Sequence, residues 1–180
     1  MREGGDPDPV TRAVARRLVA WIIDCVVIAA LVFALIAGVD AALGPAVVLR
    51  TDAPALHDML HHDTGILVLD AFLATTVSAV YGIVPWSTVG ATPGQLILGL
   101  RVVNQADGSF PTVFKSFQRW LLVFPPVGTI AAFLADAPPL AALVWAAAFA
   151  WYVLLLMTTA LSETSRGLHD QLLGEVVQKS

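Results

Sequence analysis

Leu18–Val39 reads LVAWIIDCVVIAALVFALIAGV, an apolar run with a single charged side chain, Asp24. Crossing a bilayer takes roughly 20 mostly apolar helical residues, because about 30 Å of hydrocarbon is covered at about 1.5 Å per residue. Arg16 and Arg17 precede the run and Asp40 follows it. A signal peptide is the alternative, but its apolar core is only about 7–15 residues long and no A-x-A cleavage site follows here. We therefore predict an uncleaved transmembrane helix.

The composition supports a membrane protein. The chain of 180 residues is 57% hydrophobic and 13% charged, with a mean hydropathy of +0.77. Soluble domains average roughly 45–50% apolar and about 25% charged residues. A net charge of -4 argues against a nucleic-acid partner, which would require a basic surface. Cys25 is the only cysteine, which excludes an intrachain disulfide.

Three further apolar segments follow, which gives an all-α membrane protein with four transmembrane helices. The predicted spans cover residues 18–39, 65–84, 120–135 and 140–161. Pro85 is expected to end the second span. Asp136, Pro138 and Pro139 suit a tight turn between the third and fourth spans. Prolines at 125–126 remove two amide donors, so the third span is kinked or, alternatively, re-entrant or interfacial.

The distribution of cations sets the expected orientation. With four spans and the N-terminus inside, nine of the ten Lys and Arg residues are cytoplasmic and only Arg50 lies outside. We expect a multi-pass protein of the plasma membrane with both termini in the cytoplasm. The expected organisation is a flexible tail (1–12) and one membrane domain (13–178), with a cytoplasmic loop (85–119) and a cytoplasmic C-terminal segment (162–180).

The cytoplasmic loop has its own predicted structure. Residues 95–103 are a short apolar segment that periodicity alone does not assign to helix or strand. Thr112–Arg119 reads as a short interfacial helix that leads into the third span. We also predict that Leu100–Asn104 pairs with Glu175–Gln178 as two short strands beneath the membrane.

Three motifs together resemble the RDD family of small bacterial membrane proteins. The first is RLVAWIID at residues 17–24, and the second is TPGQ at 92–95, which continues to GLRVV at 99–103. The third is GLHD at 167–170, followed by Gly174 and two valines at 176–177. The resemblance covers most of the chain, from Ala13 to Val177.

The resemblance implies which residues matter. The family is named for one arginine and two aspartates, and these would be Arg17, Asp24 and Asp170. Transport, including cation/proton exchange, has been suggested for some members. The chain departs from the family pattern at three positions: Gln95 and Gln171 stand where basic residues are common, and Glu175 stands where a small hydroxyl residue is usual.

Asp24 is predicted to lie inside the first span, about 9 Å from its cytoplasmic end at about 1.5 Å per residue. A carboxylate at mid-helix costs roughly 2.5–3.5 kcal/mol, somewhat less off centre, so it requires a partner. Arg17 is about 10.5 Å away along the same helix face, which strains a direct pair. We therefore predict that Arg17 bridges Asp24 and Asp170. This cluster either anchors the first helix or makes Asp24 an ion or proton site.

Two other polar groups are weaker candidates. Asp70, with Thr75 and Ser78, forms a secondary polar track in the second span, unless Asp70 is simply interfacial and the hydroxyls join helices. In the outer loop, His57, His61 and His62 have spacing that would place two ligands on one helix face. A metal site there is the weak alternative to a solvated acidic loop.

The sequence contains no nucleotide-binding loop, nucleophile triad or zinc-protease motif. We therefore expect no enzymatic activity and no cofactor. The leading hypothesis is an oligomeric transporter of small cations or protons that uses Asp24. The alternative is a non-transporting partner or assembly protein that acts through its cytoplasmic loop and tail. The expected partners are the lipid bilayer and either further copies of the chain or another membrane protein.

Overall fold

The computed structural model describes residues 9–49, 60–162 and 166–179, and it is mostly helical within these ranges. The helices are α1 (Pro9–Leu43), α2 (Thr64–Val89), α3 (Pro93–Ile97), α4 (Val113–Val123), α5 (Val127–Phe133), α6 (Pro138–Leu161) and α7 (Leu168–Leu173). The strands are β1 (Val47–Leu49), β2 (Leu60–His62), β3 (Leu100–Asn104) and β4 (Glu175–Lys179).

Three of the described helices are long and apolar enough to cross a membrane. These candidate spans are Val14–Leu43, Thr64–Val89 and Pro138–Leu161, and they contain the predicted first, second and fourth spans. The first helix begins at Pro9, so the predicted tail at 1–12 is too long at its C-terminal end. Pro85 does not end α2, which continues to Val89. A proline inside a membrane helix removes one hydrogen bond, a loss that surrounding packing can offset.

The predicted third span at 120–135 is not confirmed, because two short helices occupy this segment. α4 ends at Val123 and α5 begins at Val127, and neither is long enough to cross a membrane. The reason lies in the two prolines at 125–126, which have no amide hydrogen to continue the helical ladder. Near the end of α4 the carbonyl oxygen of Leu122 accepts a side-chain hydrogen bond, from the indole Nε1 of Trp151 at 2.7 Å.

The predicted strand pair is confirmed. β3 and β4 are antiparallel, with Leu100 opposite Lys179 and Asn104 opposite Glu175. This register lets Val102 and Val177 face each other, and Val102 is fully buried. A second antiparallel pair, β1 with β2, was not expected from the sequence.

The chain divides into two compact units. The first consists of Met1–Val27, Ala79–Pro125 and Ala150–Ser180, and the second of Ile28–Ser78 and Pro126–Phe149. The first unit has a small core of Trp86, Val102 and Trp120. In the second unit, the hydroxyls of Thr75 and Thr129 are 2.7 Å apart, and Thr129 also donates to the carbonyl of Ala71.

Candidate functional site

The carboxylate of Asp24 is buried in α1, with 4% of the residue exposed. Its Oδ1 accepts hydrogen bonds from the Tyr81 hydroxyl at 2.7 Å and from the Gly94 amide at 2.8 Å. Its Oδ2 accepts one from the Thr92 hydroxyl at 2.6 Å. All three donors are uncharged. Hydrogen bonds to an ionised acceptor are roughly twice as strong as neutral ones, so this shell can hold a carboxylate away from water.

The local fold of the Thr-Pro-Gly-Gln motif presents two of these donors. Thr92 is the N-cap of α3, Pro93 occupies the first turn, and Gln95 completes a capping box. Gly94 comes so close to α1 that a Cβ atom there would collide with the carbonyl oxygen of Ala20 and with Asp24. The missing side chain of Gly94 is therefore what allows its amide to reach the carboxylate.

A second buried carboxylate, Asp170, is held in a different way. Arg17 Nη1 donates to Asp170 Oδ2 at 2.8 Å, and Arg119 Nη2 donates to Oδ1 at 2.7 Å. Asp170 is fully buried, and Arg119 is 2% exposed. Asp170 also accepts a hydrogen bond from the backbone amide of Gly167, the N-cap residue of α7. This cluster ties the first helix, α4 and the C-terminal segment together.

Arg119 has a second carboxylate partner. Its Nη1 donates to Glu175 Oε2 at 2.6 Å, and Glu175 is also fully buried. Burial opposes the charge on Arg119, but Asp170 and Glu175 together outweigh it and raise the pKa of this guanidinium above its usual value. Glu175 therefore supplies a second counter-charge to Arg119.

The pKa values of the two carboxylates that bind Arg119 are shifted in opposite directions. Burial alone would raise the pKa of Asp170, but nearby positive charge, led by Arg119, holds it well below its usual range. Burial raises the pKa of Glu175, and Arg119 only partly opposes this. The difference follows from the contacts, because Asp170 receives two guanidiniums and Glu175 receives one.

His169 is the neutral member of this cluster. Burial lowers its pKa to about 4, and repulsion by Arg119 acts in the same direction. Its Nε2 lies 3.3 Å from Asp170 Oδ1. The imidazole is therefore uncharged at neutral pH.

A chain of contacts joins the two aspartate sites. Gln95 Oε1 accepts the backbone amide of Thr92 at 3.0 Å and the indole Nε1 of Trp86 at 2.9 Å. The guanidinium of Arg119 lies over the Trp86 ring, 5.4 Å from its centroid. Gln95 thus serves as a double acceptor, which a lysine or arginine side chain could not do because it has no acceptor atom.

The predicted bridge is present on one side only: Arg17 binds Asp170 but is not among the described hydrogen-bond partners of Asp24. The described hydrogen bonds of Arg17 go to Asp170 and to the carbonyl of Val177, whereas those of Asp24 come from its three uncharged donors. The physical reason is the helix geometry, because Arg17 lies about 10.5 Å from Asp24 along the axis at about 1.5 Å per residue. The C-terminal segment reaches Arg17 but supplies no described partner to Asp24.

The weaker candidates lie elsewhere. In the second unit, Asp70 is 7% exposed, and its Oδ1 has no hydrogen-bond partner among the described residues. Thr75 contacts Thr129, and Ser78 donates to the carbonyl of Thr75.

The predicted histidine ligands are described only in part. His57 lies outside the described residues, while His61 and His62 belong to strand β2 and not to a helix. Within the described ranges no group of three or more His, Cys, Asp or Glu residues is placed to hold a metal ion.

The sequence interpretation missed Tyr81, Arg119 and Glu175 as partners of the buried aspartates. The buried residues of α4 are Ser116, Arg119 and Trp120, and Arg119 is the only cation among them. A cation on the same helix face as an apolar residue is the pattern that could have indicated a buried ion pair. The Thr92–Gln95 motif was noticed, but its role as a donor to Asp24 requires the tertiary fold.

Comparison with known proteins identifies a family for the chain. Among curated proteins and solved structures, none matches the chain. The model of the RDD family matches residues 11–174, which include Arg17, Asp24 and Asp170 but stop before Glu175. The match covers most of the chain, which therefore belongs to the RDD family.

Proposed function

We propose that this RDD-family protein moves protons or small cations across a membrane and that Asp24 is the group that takes up the ion. The observation that carries the proposal is the shell of Asp24, a buried carboxylate within a candidate span whose described hydrogen-bond donors are all uncharged. An ionisable side chain at membrane depth is costly, and such groups commonly mark ion pathways.

The shell suits a change of protonation at one atom. Oδ2 has one described partner, the Thr92 hydroxyl, and a hydroxyl can either donate or accept. When Oδ2 gains a proton, that proton can be donated to Thr92 Oγ1 after the hydroxyl rotates. Oδ1 meanwhile keeps the hydrogen bonds from Tyr81 and Gly94.

The same contacts favour a proton over a metal cation. A metal ion needs several oxygen acceptors around it, whereas the Gly94 amide can only donate. Tyr81 and Thr92 both point hydrogens at the carboxylate in the described arrangement. A cation-coupled cycle therefore requires this shell to open, while proton uptake requires one hydroxyl to rotate.

A transport pathway also calls for more than one copy. The described residues contain three candidate spans, and so few helices enclose little space. Small residues recur every four positions at Ala30, Ala34, Gly38 and Ala42, and all four are exposed. Small residues let membrane helices approach closely, so this stripe is the face that we assign to self-association. Mass measurement in detergent, with Gly38→Leu as the disrupting variant, tests the assignment.

Proteoliposomes provide the test of transport. The purified full-length chain is reconstituted with a pH-sensitive dye inside, and proton, Na⁺, K⁺ and Li⁺ gradients are imposed in turn. We expect dissipation of at least one gradient by the wild-type protein and its loss in Asp24→Asn. Asp107→Asn removes an exposed carboxylate and is the matched control, expected to keep wild-type flux.

Variants of the two hydroxyl donors to Asp24 test whether a proton is taken up at Oδ2. Thr92→Val removes the hydroxyl that contacts Oδ2 and is expected to slow proton flux. Tyr81→Phe removes the hydroxyl that contacts Oδ1 and is expected to change proton flux less. Wild-type protein that is folded and dissipates none of the gradients would contradict the proposal. Equal flux in wild type and Asp24→Asn would contradict the role of Asp24.

The second candidate function is a non-transporting partner or assembly protein. What favours it is the organisation of the loop and the C-terminal segment, which the β3–β4 pair and the Arg119 cluster join into one folded body. Such a body offers a surface to another protein. The absence of flux in the wild type, together with co-purification of one partner lost in Arg119→Gln, would support this function.

A further inference from the structure

Helices α3 and α4 expose a set of large apolar side chains, which we call the apolar platform. Its members are Leu96, Ile97, Val113, Phe114, Phe117 and Leu121. Ile97 and Phe114 are the most open, with 69% and 67% of each residue exposed. On α4 the buried residues are Ser116, Arg119 and Trp120, whereas the platform side chains are exposed beside them.

The contacts of α3 fix its depth. The amide of Gly94, in the first turn of α3, donates to Asp24 at 2.8 Å. Asp24 lies seven residues after Arg17, the cation that directly precedes the apolar run. That distance is about 10.5 Å along the axis at about 1.5 Å per residue. If α1 crosses the bilayer, α3 therefore begins inside the leaflet and not in the water beyond it.

The contacts of α4 place it nearer the rim of the same leaflet. Arg119 of α4 and Arg17 of α1 bind the two oxygens of a single carboxylate, that of Asp170. Arg17 directly precedes the apolar run that begins at Leu18. At this end of a span an arginine side chain reaches the polar headgroup level.

The length of α4 is that of an in-plane helix. Its 11 residues extend about 16 Å, roughly half of the hydrocarbon thickness. One face is apolar and exposed, and the other carries the buried Arg119. A short helix with strongly divided faces lies at the boundary between headgroups and acyl chains, with its apolar side toward the lipid.

Exposure of six large apolar side chains to water would be unfavourable, because burial of apolar surface is worth roughly 25 cal/mol per Å². At the same depth α1 exposes Leu18, Val19 and Ile22, which a spanning helix presents to lipid. We propose that the apolar platform inserts into the leaflet on the Arg17 side and that its occupant is the acyl-chain and headgroup boundary of the bilayer. α3 and α4 then form a monotopic anchor beside the spans.

Spin-label accessibility tests this placement. The full-length chain carrying Cys25→Ser is labelled at one introduced cysteine, either Ile97→Cys, Phe114→Cys or Phe117→Cys, in nanodiscs of phosphatidylcholine and phosphatidylglycerol. Collision rates are measured with oxygen, which concentrates in lipid, and with a neutral nickel chelate, which stays in water. Ile22→Cys serves as the lipid control, and Ala106→Cys, in the exposed turn after β3, serves as the water control.

We expect the oxygen-to-nickel ratio at the platform positions to match that of Ile22→Cys and to exceed that of Ala106→Cys several-fold. A ratio like that of Ala106→Cys would overturn the proposal, because the platform would be wet. Low collision rates with both reagents would also overturn it, because another copy or a partner protein would then cover the platform. Val113→Cys or Leu121→Cys replaces any labelled variant that fails to fold, and this test does not depend on transport.

Discussion

Asp24 and Asp170 are both buried aspartates of the first unit, but they are stabilised by opposite means. Three uncharged donors hold Asp24, whereas two guanidiniums hold Asp170. A carboxylate between guanidiniums is committed to its charge, as the lowered pKa of Asp170 reflects. Asp24 has no cation among its described hydrogen-bond partners. The proposed role of Asp24 rests on this contrast with Asp170.

The largest expected effect comes from Arg119→Gln. This change leaves Glu175 without its guanidinium and Asp170 with Arg17 alone, inside a buried site. Removal of one partner from a buried ion pair typically costs about 3–5 kcal/mol. We expect a comparable loss of stability, measured by reversible unfolding in detergent. Arg101→Gln removes an exposed cation and is the control, expected to cost less than about 1 kcal/mol.

The next effect is a dependence on pH that His169 controls. Because the folded pKa of His169 is about 4, below its ordinary value of 6.5, the unfolded chain binds more protons between these values. The contribution of His169 to stability is therefore complete above about pH 6.5 and falls as the pH is lowered toward 4. A shift of this size corresponds to about 3 kcal/mol. The raised pKa of Glu175 acts in the opposite direction as the pH falls toward 4.5, and the lowered pKa of Asp170 adds a further loss below 3.8.

Unfolding midpoints of wild type and His169→Gln, measured from pH 7.5 to 4.5, check this prediction. We expect a clearly shallower decline in the variant. The remaining histidines are common to both proteins, so their contribution cancels in the difference. Identical pH profiles would mean that His169 is not buried as a neutral group.

A smaller effect is expected from Gly94→Ala. The added methyl group meets the carbonyl of Ala20 and the carboxylate of Asp24, so α3 must move away from α1. Overpacking of this kind typically costs about 1–3 kcal/mol. Gly128→Ala is the matched control, because a Cβ atom there has no neighbour within 4 Å. Thermal stability should fall in the first variant and hold or rise in the second, and the reverse order would contradict the close approach at Gly94.

The smallest effect is expected from Asp24→Asn. The amide keeps an oxygen for Tyr81 and Gly94, and its nitrogen can donate to Thr92 once that hydroxyl rotates. We expect a loss of less than about 1 kcal/mol, within the range of a neutral hydrogen bond. Asp24→Leu leaves all three donors without an acceptor and should cost distinctly more. Equal losses in the two variants would show that charge, and not hydrogen bonding, holds this site together.

The sequence predicted some of this architecture for clear physical reasons. Long apolar runs gave the first, second and fourth helices, because hydrocarbon thickness dictates their length. The β3–β4 pair was also predicted, although periodicity alone does not assign its first strand. The third span is not confirmed. The prolines at 125–126 were expected to kink it or to leave it re-entrant or interfacial, and in the structure α4 ends before them at Val123.

The sequence predicted three of the residues of the site, but it did not predict all of their hydrogen-bond partners. The family motifs pointed to Arg17, Asp24 and Asp170, yet spacing along one helix does not tell which distant segment returns to it. The Thr92 and Gly94 donors are 68 and 70 positions away from Asp24 in sequence. Their contact with Asp24 depends on how the segment after α2 turns back toward α1, and no local sequence pattern predicts that turn.

Two double-mutant cycles test the central claim, that Arg17 belongs to Asp170 and not to Asp24. One cycle combines Arg17→Gln with Asp170→Asn, the other Arg17→Gln with Asp24→Asn, and both are measured by reversible unfolding in the same detergent. The account predicts a coupling energy of about 1–3 kcal/mol in the first cycle and less than about 0.5 kcal/mol in the second. A coupling of Arg17 to Asp24 as large as its coupling to Asp170 would contradict it.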